Sequence, residues 1–267
     1  MAVLCASLVA MGACRNDEID LSYKYGSDAP QQVRYRIDAN ARARWDIGAP
    51  GVGSYHVRFA VEERIEPDAD GSATVSVTMT PEDVEENGLL APGSEERSFA
   101  LRIGPNGEKL EVLEVNGVPA TALDDDELAV IGTYRPPLPL QEVGLGDEWD
   151  AEQQLSVGSV FQQVATIGSL EALHRDDEGD RVAELAYEGE GPLAQTLVLP
   201  QGDAALTGDT RLEIAADLDV DEGVLLAATS STTGRFEARV VPEGGEAPIV
   251  GTLDLELDLT LTQISSN

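Results

Sequence analysis

The sequence predicts a mainly β protein, with antiparallel sheets in two pseudo-repeated halves and a few short helices. Three observations carry that expectation. Apolar and polar residues alternate with period two over many stretches, which turns one face of each stretch toward a core. Gly-containing turns rich in Asp or Asn separate those stretches. The segment TYRPPLPLQEVGLGDEWD (133–150) divides two parts of similar length and grammar. Pro136, Pro137 and Pro139 each remove a backbone donor and fix φ, which excludes helix and interrupts any central strand.

Composition narrows the function. The 267 residues are 42% hydrophobic, enough for a substantial core, but only 4% aromatic, so that core is aliphatic. Fifty acidic against 17 basic residues give a formal charge of −33, which excludes ordinary phosphate-backbone binding and hence nucleic-acid partners. Lys24 and Lys109 are the only lysines, and an Ala-rich, Lys-poor, acidic chain suggests a GC-rich genome and a salty habitat. In salt, repulsion between exposed carboxylates is screened.

The first residues carry the most specific signal. AVLCASLVAMGA (2–13) is uncharged, mostly apolar and too short to span a bilayer. It ends in Met11-Gly12-Ala13-Cys14, with polar residues immediately after. Small residues before a Cys at the end of an apolar run resemble the lipobox of bacterial lipoproteins. That resemblance implies cleavage before Cys14 and acylation of its thiol, hence a membrane partner through an N-terminal lipid anchor. The expected location is the cell envelope, at the outer membrane or the outer face of the plasma membrane. Cys5 leaves with the signal, so the mature chain has neither a disulfide nor a Cys nucleophile. The domain organisation that follows is a signal peptide over 1–13 and a lipidated tether over 14–20. A first β half covers 21–135, a Pro/Gly pivot 136–146 and a second β half 147–267.

Along the chain, 19–25 (IDLSYKY) reads as a first strand. Gln32–Asp38 alternates Val33, Tyr35 and Ile37 with arginines, and 41–47 continues it with Trp45 and Ile47 inward. A turn around 48–53 precedes a hairpin in which Tyr55, Val57, Phe59 and Val61 alternate, PDADG (67–71) turns, and 74–79 returns. Thr80-Pro81-Glu82-Asp83 has the features of a helix start, ended by Asn87-Gly88. A second hairpin turns at Pro105-Asn106-Gly107, and 120–131 reads as a helix capped by Thr121. The second half repeats the order: a long strand over 160–174, a turn at 176–179, a return over 181–187, a break at 188–192 and an apolar segment over 193–199. A hairpin then runs from 212–216 into 225–229. In the last strand, Leu253, Leu255, Leu257, Leu259 and Leu261 alternate with polar residues, which pins the register, and 235–241 is its expected partner.

Candidates for chemistry are few. His56 and His174 lie within alternating strands, and no nucleophile elbow, P-loop, zinc motif or dinucleotide fingerprint is present. Asp217, Asp219 and Asp221 share one face at period-two spacing and are the best metal candidates, yet a solvent-facing strand running into a turn explains them more simply. The expectation is therefore a protein that is not an enzyme and needs no cofactor.

The segment LPLQEVGLGDEWD, with Val143, Gly146, Asp147 and Trp149 in a V-x-x-G-D-x-W step, and the later DLDVDEGVLLAATSS resemble a family of bacterial lipoproteins of unknown function. More distantly, long antiparallel strands on a lipid-anchored chain are similar to envelope lipoprotein and lipid carriers, whose curved sheets enclose an apolar cavity. The resemblance implies a lipid-anchored, non-enzymatic protein that carries a hydrophobic ligand, with a structural or protein-interaction module as the alternative. The ligand-binding residues are left open. The charge makes its own prediction. Between about 0.01 M and 1 M sodium chloride the Debye length falls from roughly 30 Å to about 3 Å, so the melting temperature rises across that range in thermal denaturation. A flat or falling melting temperature would show that the carboxylates are too well spaced to repel.

Overall fold

A computed structural model describes residues 18–26, 30–90, 95–124, 128, 131–157, 160–199, 202–242 and 247–264. The alternating stretches become β1 (Gln31–Asp46), β2 (Pro50–Pro67), β3 (Ala73–Glu86), β4 (Leu89–Leu90), β5 (Arg97–Ile103), β6 (Lys109–Val115) and β7 (Val118–Pro119). The second part supplies β8 (Glu148–Val157), β9 (Val160–Arg175), β10 (Arg181–Leu199), β11 (Gly202–Asp219), β12 (Val224–Pro242) and β13 (Ile249–Ile264). All belong to one 13-stranded sheet, ordered β7-β6-β5-β3-β2-β1-β13-β12-β11-β10-β9-β8 with β4 beside β3, and the pairings are antiparallel. The two parts of the chain join in space where β1 pairs with β13, from Arg34↔Ile264 to Asp46↔Thr252, and not at the proline segment.

The period-two pattern gives the sheet one apolar and one polar face. Val33, Tyr35 and Ile37 of β1, Val61 and Ile65 of β2 and Leu101 of β5 share a buried cluster with Leu170 of β9, Leu185 of β10, Leu218 of β11 and Leu261 of β13. Strands so far apart in the order touch only if the sheet twists and curls around its apolar face. Two non-strand segments fill the interior at the end bearing the turns 68–72, 104–108, 176–180 and 220–223. The first is 18–26, with Ile19, Leu21 and Tyr23 buried; the second is 131–147, which buries Leu138 and Val143 and turns Leu140 (89% exposed) and Leu145 to solvent. Ile19 and Val143 exchange two backbone hydrogen bonds, at 2.9 and 3.0 Å.

Several local expectations give way to the sheet. Residues 80–86, expected as a helix, continue β3 opposite β2, with a bulge where Arg58 pairs Asp83 and Phe59 pairs Pro81. Pro81 is tolerated there because, among the described residues, β3 has no partner on its other side between Thr80 and Val84. Asn87-Gly88 is the left-handed pair of a tight hairpin turn, φ 52° and 75°. At 120–131 the described residues form a 3₁₀ turn, Ala120–Ala122, and Leu128 is helical, its N–H donating to the Asp124 carbonyl at 3.1 Å, with 125–127, 129 and 130 outside the described residues. The break expected at 188–192 is continuous strand, since Pro192 lies beyond the point where β9 leaves β10. Residues 19–25, expected as a first strand, form a non-strand interior segment with one bridge, at Ile19. Cys14 and the signal segment lie outside the described residues.

At the centre of the interior is a buried ion pair. Glu63 occupies an inward position on β2 between Val61 and Ile65, and Arg135 reaches it with two bonds, Nη1 to Oε1 at 3.0 Å and Nη2 to Oε2 at 2.6 Å. The Tyr134 hydroxyl also donates to Glu63. The guanidinium lies 5.7 Å from the Tyr23 ring and 5.9 Å from the Tyr134 ring, so aromatic faces take part of the place of water. Burial opposes the Arg135 charge, but Glu63 and the surrounding phenols outweigh it and hold the pKa well above the usual value. Burial, opposed by Arg135 and reinforced by Glu63, pushes Tyr25 up to about 12.

Breaking such a pair leaves one buried charge uncompensated, which typically costs about 3–5 kcal/mol. Glu63→Gln and Arg135→Met are each expected to destabilise by that order in urea titrations, whereas Glu63→Leu/Arg135→Met loses much less than the sum. Additive losses would contradict the pairing.

Candidate functional site

The leucines of β13 report how far the interior is filled. Leu261 is buried in the main cluster and Leu259 packs against it. At the other end of the strand, Leu253 and Leu255 pack with Ile47 against a small second cluster of Leu193, Leu206, Phe236 and Ala238. Leu257, between them, is half-buried and packs against neither cluster among the described residues. Its row continues through Ala41 and Tyr55 on one side and Thr232, Leu212 and Gly189 on the other. The next row is smaller still: Gly53, Ala43, Leu255, Gly234, Thr210 and Gly191.

Neighbouring rings crowd two of these small positions. A Cβ on Gly53 would stand 3.3 Å from the Trp45 indole, and one on Gly234 would stand 2.5 Å from the Phe236 ring. The apolar face is thus closed by 18–26 and 131–147 at one end, while no described segment crosses it at the other. Around that second end Leu89 (73% exposed) and Ile249 show apolar side chains to solvent on this face, and Val52 (72%), Val241 and Val250 do so on the polar face.

On the polar face, the same band of small residues floors a trough of about 1060 Å³. Arg42, Arg44, Arg211 and Arg235 line it together with Glu190, Asp209, Asp254 and Glu256. Cross-strand pairing sets the pattern, with Arg42 at 3.8 Å from Glu256, Arg235 at 3.6 Å from Asp254 and Arg211 at 3.7 Å from Glu190. Four positive and four negative side chains leave the trough formally neutral on a chain of −33.

The residues singled out in the sequence are separated by the fold. One Asp219 carboxylate oxygen accepts the backbone N–H groups of Asp221 and Glu222, both at 2.8 Å, closing the β11–β12 turn. Asp221 binds Arg181 at 3.0 and 2.7 Å, and hydrogen bonds from that residue hold its carboxyl below the usual range. Burial and then Glu184, opposed by His174, push Asp217 upward. Asp219 and Asp221 are held by different partners, and no group of three or more His, Cys, Asp or Glu is placed to hold a metal among the described residues. His56 lies 3.3 Å from Asp38 and His174 lies 3.3 Å from Glu184, each on the polar face. Cys14 lies outside the described residues. The sequence reading missed Glu63, although a carboxylate between Val61 and Ile65 on an apolar face was a visible signal. It also missed the arginine rows of the trough, which exist only through cross-strand register.

Comparison with protein-family models returned no match, and comparison with curated proteins returned none.

Proposed function

We propose that the chain is a lipid-anchored cell-envelope protein without catalytic function, whose open apolar end takes up a hydrophobic ligand, above all a lipid. The observation that carries this reading is Leu257. It sits half-buried between two packed clusters, on a face that the interior segments fill from one end only. A partly uncovered apolar sheet face calls for a ligand, a partner or a second sheet. Leu89 and Ile249 are exposed on the apolar side of the same end and suit the entry of acyl chains.

The anchor rests on the lipobox-like step at Cys14 and on the resemblance to bacterial lipoproteins. With Ile19 docked, five residue steps separate it from Cys14, a reach of at most about 17 Å. Such a tether would hold the apolar interior close to the membrane, and the two or three acyl chains of a bacterial lipoprotein anchor stably. We also read the two halves as copies of one unit. Both step in the same direction across the sheet, so β2–β3 corresponds to β9–β10. Their turns close alike, with Gly71 donating to Asp68 and Gly179 to Asp176.

The second reading, a structural or interaction module of the cell surface, is favoured by the neutral arginine-lined trough. Native mass spectrometry of protein purified from its own membrane separates the two. The expected result is an acylated Cys14 at the N-terminus and a reproducible lipid that is lost in Leu257→Arg. An unmodified N-terminal peptide retaining residues 1–13 would refute the anchor. A lipid-free chain that brings down an envelope protein through Arg211 and Arg235 would establish the second reading instead.

A further inference from the structure

The two sheet edges, β6–β7 and β8, do not pair with each other among the described residues. Residues 133–137 lie in the seam between them, which contains a second pocket, of about 250 Å³. Lys109 at the start of β6, the turn 106–108 and residues 152–154 of β8 line it with Thr133, Arg135 and Pro137. Its inner wall is rich in donors. Gln153 is 8% exposed, and its side-chain Nε2 has no hydrogen-bond partner among the described residues. A buried donor without an acceptor is destabilising, and native structures rarely leave one so. Lys109 donates to the Ile131 carbonyl, which leaves further N–H groups of its ammonium for another acceptor. Arg135 is committed to Glu63, so its charge is already matched. At the rim the chemistry reverses, because Glu108 and Glu152 are both exposed.

We infer that the seam pocket binds a small zwitterion, its carboxylate turned inward to Gln153 Nε2 and Lys109 Nζ and its ammonium outward between Glu108 and Glu152. This is the chemistry of a free α-amino acid. The orientation follows from where the charges sit: a simple anion would leave the rim carboxylates opposing its entry, and a simple cation would leave the inner donors unpaired. The pocket lies at the filled end of the interior and on different residues from the leucine ladder, so the inference stands or falls apart from the hydrophobic-ligand reading.

Saturation-transfer NMR on the full acylated chain in micelles, with an equimolar mixture of the twenty amino acids at millimolar concentration, tests it. Transfer to a subset of them is expected, competed by excess acetate. Gln153→Leu removes the orphan donor, so it should keep or raise the melting temperature while weakening binding at least tenfold. Lys109→Met acts from a different strand and should also weaken binding, which decides the matter if Gln153→Leu fails to fold. Glu152→Gln should weaken the amino acids and leave competing acetate unaffected. No transfer from any amino acid would mean that water alone fills the pocket and would overturn the inference. So would transfer that survives both Gln153→Leu and Lys109→Met, or an equal loss of acetate and amino acids in Glu152→Gln.

Discussion

The interior depends on one desolvated ion pair. Taking a carboxylate and a guanidinium out of water costs several kcal/mol per ion, repaid only by close geometry and additional hydrogen bonds. Glu63 and Arg135 meet that condition with two parallel bonds, a third from Tyr134 and flanking aromatic faces. Because Arg135 lies in TYRPPLPL, the pair draws a proline-rich segment into the curled sheet. Prolines suit that position for a reason beyond shape: they bring no N–H that would need a partner. Their carbonyls do need donors, and buried aromatics supply them. Tyr23 donates to the Pro136 carbonyl at 2.9 Å, while Tyr187 and Trp149 donate to that of Pro137 at 3.1 and 3.3 Å. Five of the six tyrosines, Tyr23, Tyr25, Tyr35, Tyr134 and Tyr187, thus lie in or against the main cluster, where polar handles are required.

Once the segment is clamped, the rest of the architecture follows from it. The plug fills the apolar face from the end of the Asp/Gly turns, and β13 extends beyond it with Leu257 incompletely covered. Across the unfilled part, Gly and Ala replace larger side chains, so rings such as Trp45 and Phe236 lie flat over backbone. On the opposite face the same small residues form the floor of the trough, and arginines of β1, β11 and β12 neutralise carboxylates of neighbouring strands. One band of small residues therefore shapes both candidate binding surfaces.

Much of the sheet was legible because its signal is local. The β13 leucines, the long strand from Val160 and the partner at 235–241 all follow from alternation and turn chemistry. What local pattern could not supply was competition between signals. Thr80-Pro81-Glu82-Asp83 satisfies the rules of a helix start, yet pairing with β2 outweighs it because Pro81 falls at a bulge on an unpaired edge. Pro192 similarly ends no strand, since β9 has already diverged. Long-range facts were further out of reach. Nothing local announces that β1 pairs with β13, or that an arginine after Tyr134 answers a glutamate 72 positions earlier. The unusual inward Glu63 was the one available clue.

Hydrogen exchange tests the central claim, that 133–146 is a clamped interior element and not a surface linker. The Leu138 amide donates to the Asn106 carbonyl at 2.8 Å, Val143 to Ile19 at 3.0 Å and Gly146 to Leu170 at 2.8 Å. If the ion pair holds the segment in place, these three amides open only with the sheet and show protection matching Val61 and Leu261. Exchange of Leu138 and Val143 at the rate of an exposed loop, while Val61 and Leu261 remain protected, would contradict the account.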